Sequence, residues 1–427
     1  MFFFYQFLTF ILYPIFVVLI IFRVFIGKED KKRFQEKILI TRTKIFDKKK
    51  TIIWFHGASL GEIRSVFPVI DKILKENKKI MIVITSITLS SGNIIKNKYG
   101  KNKRIKHQYF PFDNIFLVQK FLNKWNPNLV GLIDSEIWPN FIIEIKKRKI
   151  PLALINGRIT EKTYNRWKKI RTFAQQIFSS FDVCMAASKN SFKNLKKLQA
   201  NNVKFRGNLK FISYKERTDK LKKQTIKYFK NKKVWCAAST HPSEEIFCLK
   251  THILLKKKYK NLLTIIVPRH IDRIENIINE CKKFNLNIKI LNNKNNINKH
   301  TEVVLVNSFG LLNEFYNYCH SVFMGKSLLK SLKLVGGQNP IEAARQGCKI
   351  YHGPYVYNFF EIYDYLKNNG IAKQVNSSEM LAIEIAKNFK SSNKVNKKII
   401  KRINQYGNTV LKDLLLEIKR LLKNEVI

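Results

Sequence analysis

The side chains best suited to chemistry in this 427-residue chain stand where short apolar runs give way to glycine, serine or asparagine. In Trp54-Phe-His-Gly-Ala-Ser-Leu-Gly-Glu62-Ile-Arg, a carboxylate opens a helix. There it can complement the helix dipole or take a proton from a hydroxyl group. Gly131-Leu-Ile-Asp-Ser-Glu136-Ile-Trp-Pro-Asn140 repeats the pattern, with proline suited to a first helical turn. Asn156-Gly-Arg-Ile-Thr160 adds an arginine that is either structural or aimed at an anion, and Gly207-Asn-Leu-Lys210-Phe a lysine that by itself means little in so basic a chain. Further along, Ser239-Thr-His241-Pro-Ser-Glu-Glu245 opens a helix whose free N–H groups suit an anion. Pro268-Arg269-His270 supplies a guanidinium that grips phosphate or carboxylate with two N–H groups. Val335-Gly-Gly-Gln-Asn339-Pro-Ile-Glu342-Ala-Ala joins a glycine turn to a helix, which lets backbone approach a nucleotide. Singly, each segment is equally a turn or a cap. Together they suit a nucleotide-using transferase.

The elements that must position them alternate. Apolar runs at Thr51–His56, Ile80–Thr85, Leu129–Asp134 and Leu152–Asn156 each lead into a helical pattern, which predicts βαβ units and a parallel sheet. A charged stretch at 214–233 interrupts the rhythm. It restarts at Val234–Ala238, Leu263–Val267, Ile288–Leu291, Val303–Val306 and Ser321–Met324. The expectation is two doubly wound α/β domains at 27–212 and 213–380, with terminal helices over 381–427 and a surface loop at 292–299. Ligands of such sheets bind beyond the carboxyl ends of the strands, where the segments above fall.

Residues 2–22 carry no charge, and about 20 such residues span a bilayer core. Pro14 predicts a kink. A signal peptide is the other reading, but the segment has neither a basic start nor a small-residue cleavage site. The basic flank of Arg23, Lys28, Lys31, Lys32 and Arg33 predicts an uncleaved anchor over 1–26 with the bulk of the chain cytoplasmic. The formal charge of +50 reflects either an overall bias toward lysine, which is abundant throughout the chain, or attraction to anionic lipids and substrates. The cations are scattered instead of forming one stripe, so a nucleic-acid partner is not expected. Six cysteines without a CxxC pair suit a reducing compartment and mark no metal site.

In order and spacing these blocks resemble the bacterial 3-deoxy-D-manno-octulosonic acid (Kdo) transferases of lipid A biosynthesis, over about residues 1–365. The shared blocks include His-Gly-Ala-Ser-Leu-Gly-Glu, Ser-Glu-Ile-Trp-Pro-Asn, Gly-Asn-Leu-Lys-Phe, Val-Pro-Arg-His and Gly-Gly-Gln-Asn-Pro-Ile-Glu. The resemblance implies a GT-B fold: two Rossmann-like domains facing a cleft, preceded by one N-terminal transmembrane helix. It also implies inverting transfer of Kdo from CMP-Kdo to a lipid A precursor (lipid IVA) at the cytoplasmic face of the inner membrane, without cofactor or metal. By the same resemblance Glu62 is the general base, and Glu136 and Lys210 stabilise the transition state. Pro268, Arg269, Phe309, Gly310, Leu311, Asn339, Pro340, Ile341 and Glu342 hold the donor. The chain departs from the family's usual residues at Asn307, Leu311, Lys326 and Gln338, which bears on nucleotide affinity and leaves Glu62 untouched. Two other functions remain open at this level: a GT-B transferase using a UDP-sugar, and a non-catalytic, membrane-tethered protein that binds anionic ligands.

Overall fold

The computed structural model describes residues 1–39, 50–212, 221, 223–230, 232–291, 297, 298, 300–308, 310–390 and 397–422. Two parallel sheets carry the fold. The first comprises β1 Thr51–His56, β2 Ile80–Ser86, β3 Ile105–Tyr109, β4 Leu129–Ile133, β5 Leu152–Gly157, β6 Val183–Ala186 and β7 Val203–Phe205, in the order β3-β2-β1-β4-β5-β6-β7. The second comprises β8 Lys233–Thr240, β9 Leu262–Pro268, β10 Ile288–Leu291, β11 Val303–Val306, β12 Ser321–Met324, β13 Lys349–His352 and β14 Ala372–Gln374, in the order β10-β11-β9-β8-β12-β13-β14. In each, the order reverses beside the first strand, between β1 and β4 and between β8 and β12. That reversal opens a crevice at the strand ends.

Alternation along each strand explains the burial. Trp54, Val130, Leu132 and Leu154 point into one core with helices α5 (Ile115–Trp125) and α6 (Pro139–Lys147). Ile53, Phe55, Ile133 and Ile155 point into the opposite core with helix α3 (Leu60–Glu76), and helix α4 (Leu89–Tyr99) adds Ile95 and Tyr99. Strands buried on both faces read as unbroken apolar runs, which is why the sequence revealed them.

Residues 1–214 with 406–427 form one compact unit, and residues 215–405 form a second. The helices expected at 381–427 are therefore shared. Helix Ser378–Lys390 lies in the second unit, and helix Lys397–Leu421 runs from the second into the first. Residues 214–220, 222 and 231 of the expected connector, and residues 292–296 and 299 of the expected loop, lie outside the described residues. The connector contains helix Lys223–Lys230.

The expected transmembrane segment is not one helix in the structure. Helices α1 (Phe2–Ile11) and α2 (Tyr13–Phe25) are bent by 48° around Leu12. No single helix among the described residues is long and apolar enough to cross a membrane, whereas the bent pair taken together has the length and composition to do so. Pro14 lacks an N–H, and its ring cannot pass the carbonyl one turn earlier, so a straight helix is broken here. The pair also docks on its own unit. Tyr5 donates to Asp113 (2.8 Å), Asn140 donates to Thr9 Oγ1 (3.2 Å), and Phe16 stacks on Phe112 with ring centres 4.3 Å apart.

Candidate active site

The first unit gathers its polar groups where its strand order reverses. Beyond β1, Ser59 caps α3: its hydroxyl accepts from the Glu62 N–H at 3.4 Å. The Glu62 carboxylate in turn accepts from Ala58 N (2.7 Å), Ser59 N (3.2 Å) and Ser59 Oγ (2.8 Å). The cap and the proposed base are thus one carboxylate. Beyond β4, Asp134 has left-handed backbone (φ 62°), and Glu136 Oε2 accepts from Trp138 Nε1 (2.8 Å) and lies 3.0 Å from His56 Nε2. Lys210 rides a short turn pinned by Asn156 Oδ1 to Leu209 N (3.0 Å) and by Asn208 Oδ1 to Lys210 N (2.9 Å). The terminal helix backs that turn: Tyr406 meets Phe211 edge-on at 4.8 Å. A Cβ on Gly407 would stand 2.0 Å from the Phe211 carbonyl oxygen, so only glycine fits.

Electrostatics tie these groups together. Burial pushes the Glu62 carboxyl up to about 6, with the charges of Glu136 and Asp134 adding to it and its Ser59 hydrogen bonds opposing. Burial lowers Lys210, while Asp134 and Glu62 pull it back and Arg158 opposes them. A base with a pKa near 6 is ionised at neutral pH yet retains appetite for a proton. If Glu62 is that base, turnover rises with pH through an inflection near 6. Glu136→Gln removes the neighbouring charge, so the inflection of its residual activity moves to lower pH. A pH–rate series on both proteins checks this, and an unmoved inflection would detach it from Glu62.

The second unit is organised around a buried carboxylate. Glu244 accepts from His241 N (2.9 Å), Lys326 N (2.7 Å), Ser327 N (2.8 Å) and Leu328 N (3.1 Å), which ties the end of β8 to the loop after β12. The helix expected to offer free N–H groups to an anion carries Glu244 and Glu245 in its first turn instead. Lys326 is left-handed (φ 58°), and its carbonyl accepts from Gly337 N (2.7 Å), linking this loop to the glycine turn. Both glycines of that turn are needed. Gly337 has φ +94°, and a Cβ on Gly336 would stand 2.2 Å from the Tyr355 carbonyl oxygen.

Pro268 ends β9 buried, and Arg269 and His270 are exposed beyond it. With Lys326 and Arg273 they surround His241. Its pKa is pushed down to about 4, chiefly by burial and then by these cations. Arg273 is held by both oxygens of Glu245 (3.1 and 3.2 Å). Thr240 Oγ1, His241 Nε2 and Ser308 Oγ are buried without a hydrogen-bond partner among the described residues. Of the other expected donor residues, Phe309 lies outside the described residues and Gly310 turns the chain at φ 91°. Leu311 is buried, which suits an apolar side chain there. Asn339 Oδ1 accepts from Ile341 N (3.2 Å), Pro340 and Ile341 are buried, and Glu342 is exposed. Sequence reasoning gave no role to His56 or Asp134. The available signal was a polar residue closing an otherwise apolar strand.

Known proteins supply the remaining context. Residues 32–213 match the family model described as 3-Deoxy-D-manno-octulosonic-acid transferase (kdotransferase). The chain is 33% identical over 384 residues to the 3-deoxy-D-manno-octulosonic acid transferase of Rickettsia bellii, covering 89% of this chain and 87% of that one. To the enzyme of that name from Haemophilus influenzae it is 29% identical over 330 residues, 76% of each chain. Among solved structures, a putative UDP-N-acetylglucosamine 2-epimerase from Listeria monocytogenes covers 87% of this chain and 96% of its own. Its TM-score is 0.59 at 12% identity, a likeness of fold alone. By its relatedness along nearly its whole length, the chain belongs to the Kdo transferase family and is a glycosyltransferase.

Proposed function

We propose that this enzyme moves Kdo from CMP-Kdo to a lipid A precursor, lipid IVA, with inversion, at the cytoplasmic face of the inner membrane. The supporting observation is that Glu62 feels the charge of Glu136 and Lys210 that of Glu62, with Glu62 raised to about 6. An acceptor hydroxyl gives its proton to Glu62 as its oxygen bonds to the anomeric carbon. On the opposite face the bond to the CMP phosphate breaks, and its electrons leave with CMP. Glu136 answers positive charge growing on the sugar ring, and Lys210 answers negative charge on the leaving phosphate. In the second unit, Arg269 forms no ion pair among the described residues, and the unpartnered Thr240, His241 and Ser308 atoms lie at strand ends. A donor carrying phosphate and carboxylate would use such groups. The uncharged N-terminal pair and its basic flank would hold the enzyme at the lipid surface.

Incubation with CMP-Kdo and lipid IVA is expected to add the mass of Kdo to the lipid. Arg269→Ala should raise the donor KM about 10- to 100-fold, the value of a charge-assisted hydrogen bond, and lysine should restore it only in part. Product from UDP-sugars but not from CMP-Kdo would overturn the assignment.

A further inference from the structure

We infer that His56 is a positioning residue for Glu136, aimed by a hydrogen-bond chain that starts at Trp54. The inference rests on the role proposed for Glu136. His56 closes β1 fully buried, with its ring stacked on Phe110 at 3.8 Å between centres. Trp54 Nε1 lies 2.8 Å from Thr85 Oγ1, which lies 2.9 Å from His56 Nδ1, and His56 Nε2 lies 3.0 Å from Glu136 Oε2.

The direction of the chain follows from its ends. An indole N–H only donates, so Thr85 Oγ1 accepts from Trp54 and is left with its own proton to give. An ionised carboxylate only accepts, so the His56 nitrogen facing Glu136 carries hydrogen. In the neutral ring that leaves Nδ1 bare to receive the Thr85 proton. Trp138 Nε1 donates to the same Glu136 oxygen (2.8 Å). Two N–H groups on rigid aromatic rings thus fix one oxygen of Glu136. Register secures the geometry, because His56 pairs with Thr85 across β1 and β2 and with Leu132 across β1 and β4. A shift of either strand would break the chain.

Misplacing a reacting or stabilising group by an ångström costs as much as about 10²-fold in rate. His56→Leu removes the donor and keeps an apolar side chain beside Phe110. It is expected to lower kcat about 10- to 100-fold, with donor KM within about twofold. His56→Gln, whose amide reaches a similar distance, should recover most of the loss. Trp138→Phe, which keeps an aromatic ring and loses the second donor, provides a variant outside the buried strand. The deciding measurement is the same pair of substitutions in a Glu136→Gln background, with melting recorded for every protein. If both residues act through the carboxylate, they lower kcat no further there. Equal losses in both backgrounds, or unchanged kcat per folded molecule in His56→Leu, would overturn the inference. Full activity in Glu136→Gln alone would instead remove the role proposed for Glu136, and this inference with it.

Discussion

Glu62→Gln is expected to slow Kdo transfer by at least about 10²-fold while leaving donor binding almost unchanged. The structure sharpens this test, because Glu62 also completes the capping box that opens α3. Glutamine retains one carbonyl oxygen, so part of the cap survives. Losing the charge at the helix start should cost about 0.3–1 kcal/mol of stability. A cap therefore predicts a slightly lower melting point and a normal rate. A base predicts the same small change in melting with the rate all but gone. Oε2 accepts from Ala58 N and Ser59 N, but among the described residues Oε1 accepts only from Ser59 Oγ and keeps a second lone pair for a hydroxyl. Turnover at saturating CMP-Kdo, CMP binding and thermal melting, measured together, separate the two. Near-normal transfer by Glu62→Gln would make Glu136 the next candidate.

Sequence revealed strands that are apolar on both faces and hid those that are not. Strands β1, β4 and β11 lie in full or nearly so within the expected runs. Strand β3 reads Ile-Lys-His-Gln-Tyr and gave no signal. The hydrogen bonds of its polar side chains go to distant partners: His107 to Ser86 and Arg33, and Gln108 Oε1 to Trp125. Strands β7 and β14 are three residues each, too short for any alternation to show.

At the site, spacing within one segment located Glu62, Glu136 and Lys210 but could not show that they interact. The long links are tertiary: His56 to Glu136 spans 80 residues, and Asn156 to Leu209 spans 53. In the second unit, the Glu244 carboxylate reads as a helix-start acid in the sequence. Only the fold shows that it holds Lys326, Ser327 and Leu328, more than 80 residues away. Lys326 stands where the resemblance leads one to expect glycine, and its φ of 58° is the backbone reason for that expectation.

The N-terminus is expected to lie on the same side of the membrane as the catalytic units, contrary to a single spanning anchor. Helices of 10 and 13 residues are about 15 and 20 Å long, and neither crosses a hydrocarbon core of about 30 Å. Their contacts with the first unit run from Tyr5 to Phe16. Were α1 to cross the bilayer with these contacts kept, Asp113 and Asn140 would be drawn into lipid. Burial already raises the Asp113 carboxyl to about 6, and an acidic side chain at the bilayer centre costs about 2.5–3.5 kcal/mol more. The outward faces are nonetheless apolar, with Phe3, Phe7, Phe22 and Phe25 at 61–83% exposure. This pattern suits a pair lying in the plane of the interface. All six native cysteines are buried, so Phe3→Cys would supply the one exposed thiol among the described residues. On phosphatidylethanolamine–phosphatidylglycerol vesicles with the protein added from outside, an impermeant maleimide should label it equally with and without detergent. Labelling that appears only after detergent would mean that the pair crosses the membrane and that its docked arrangement opens there. Failure to bind the vesicles at all would count instead against the membrane-bound acceptor.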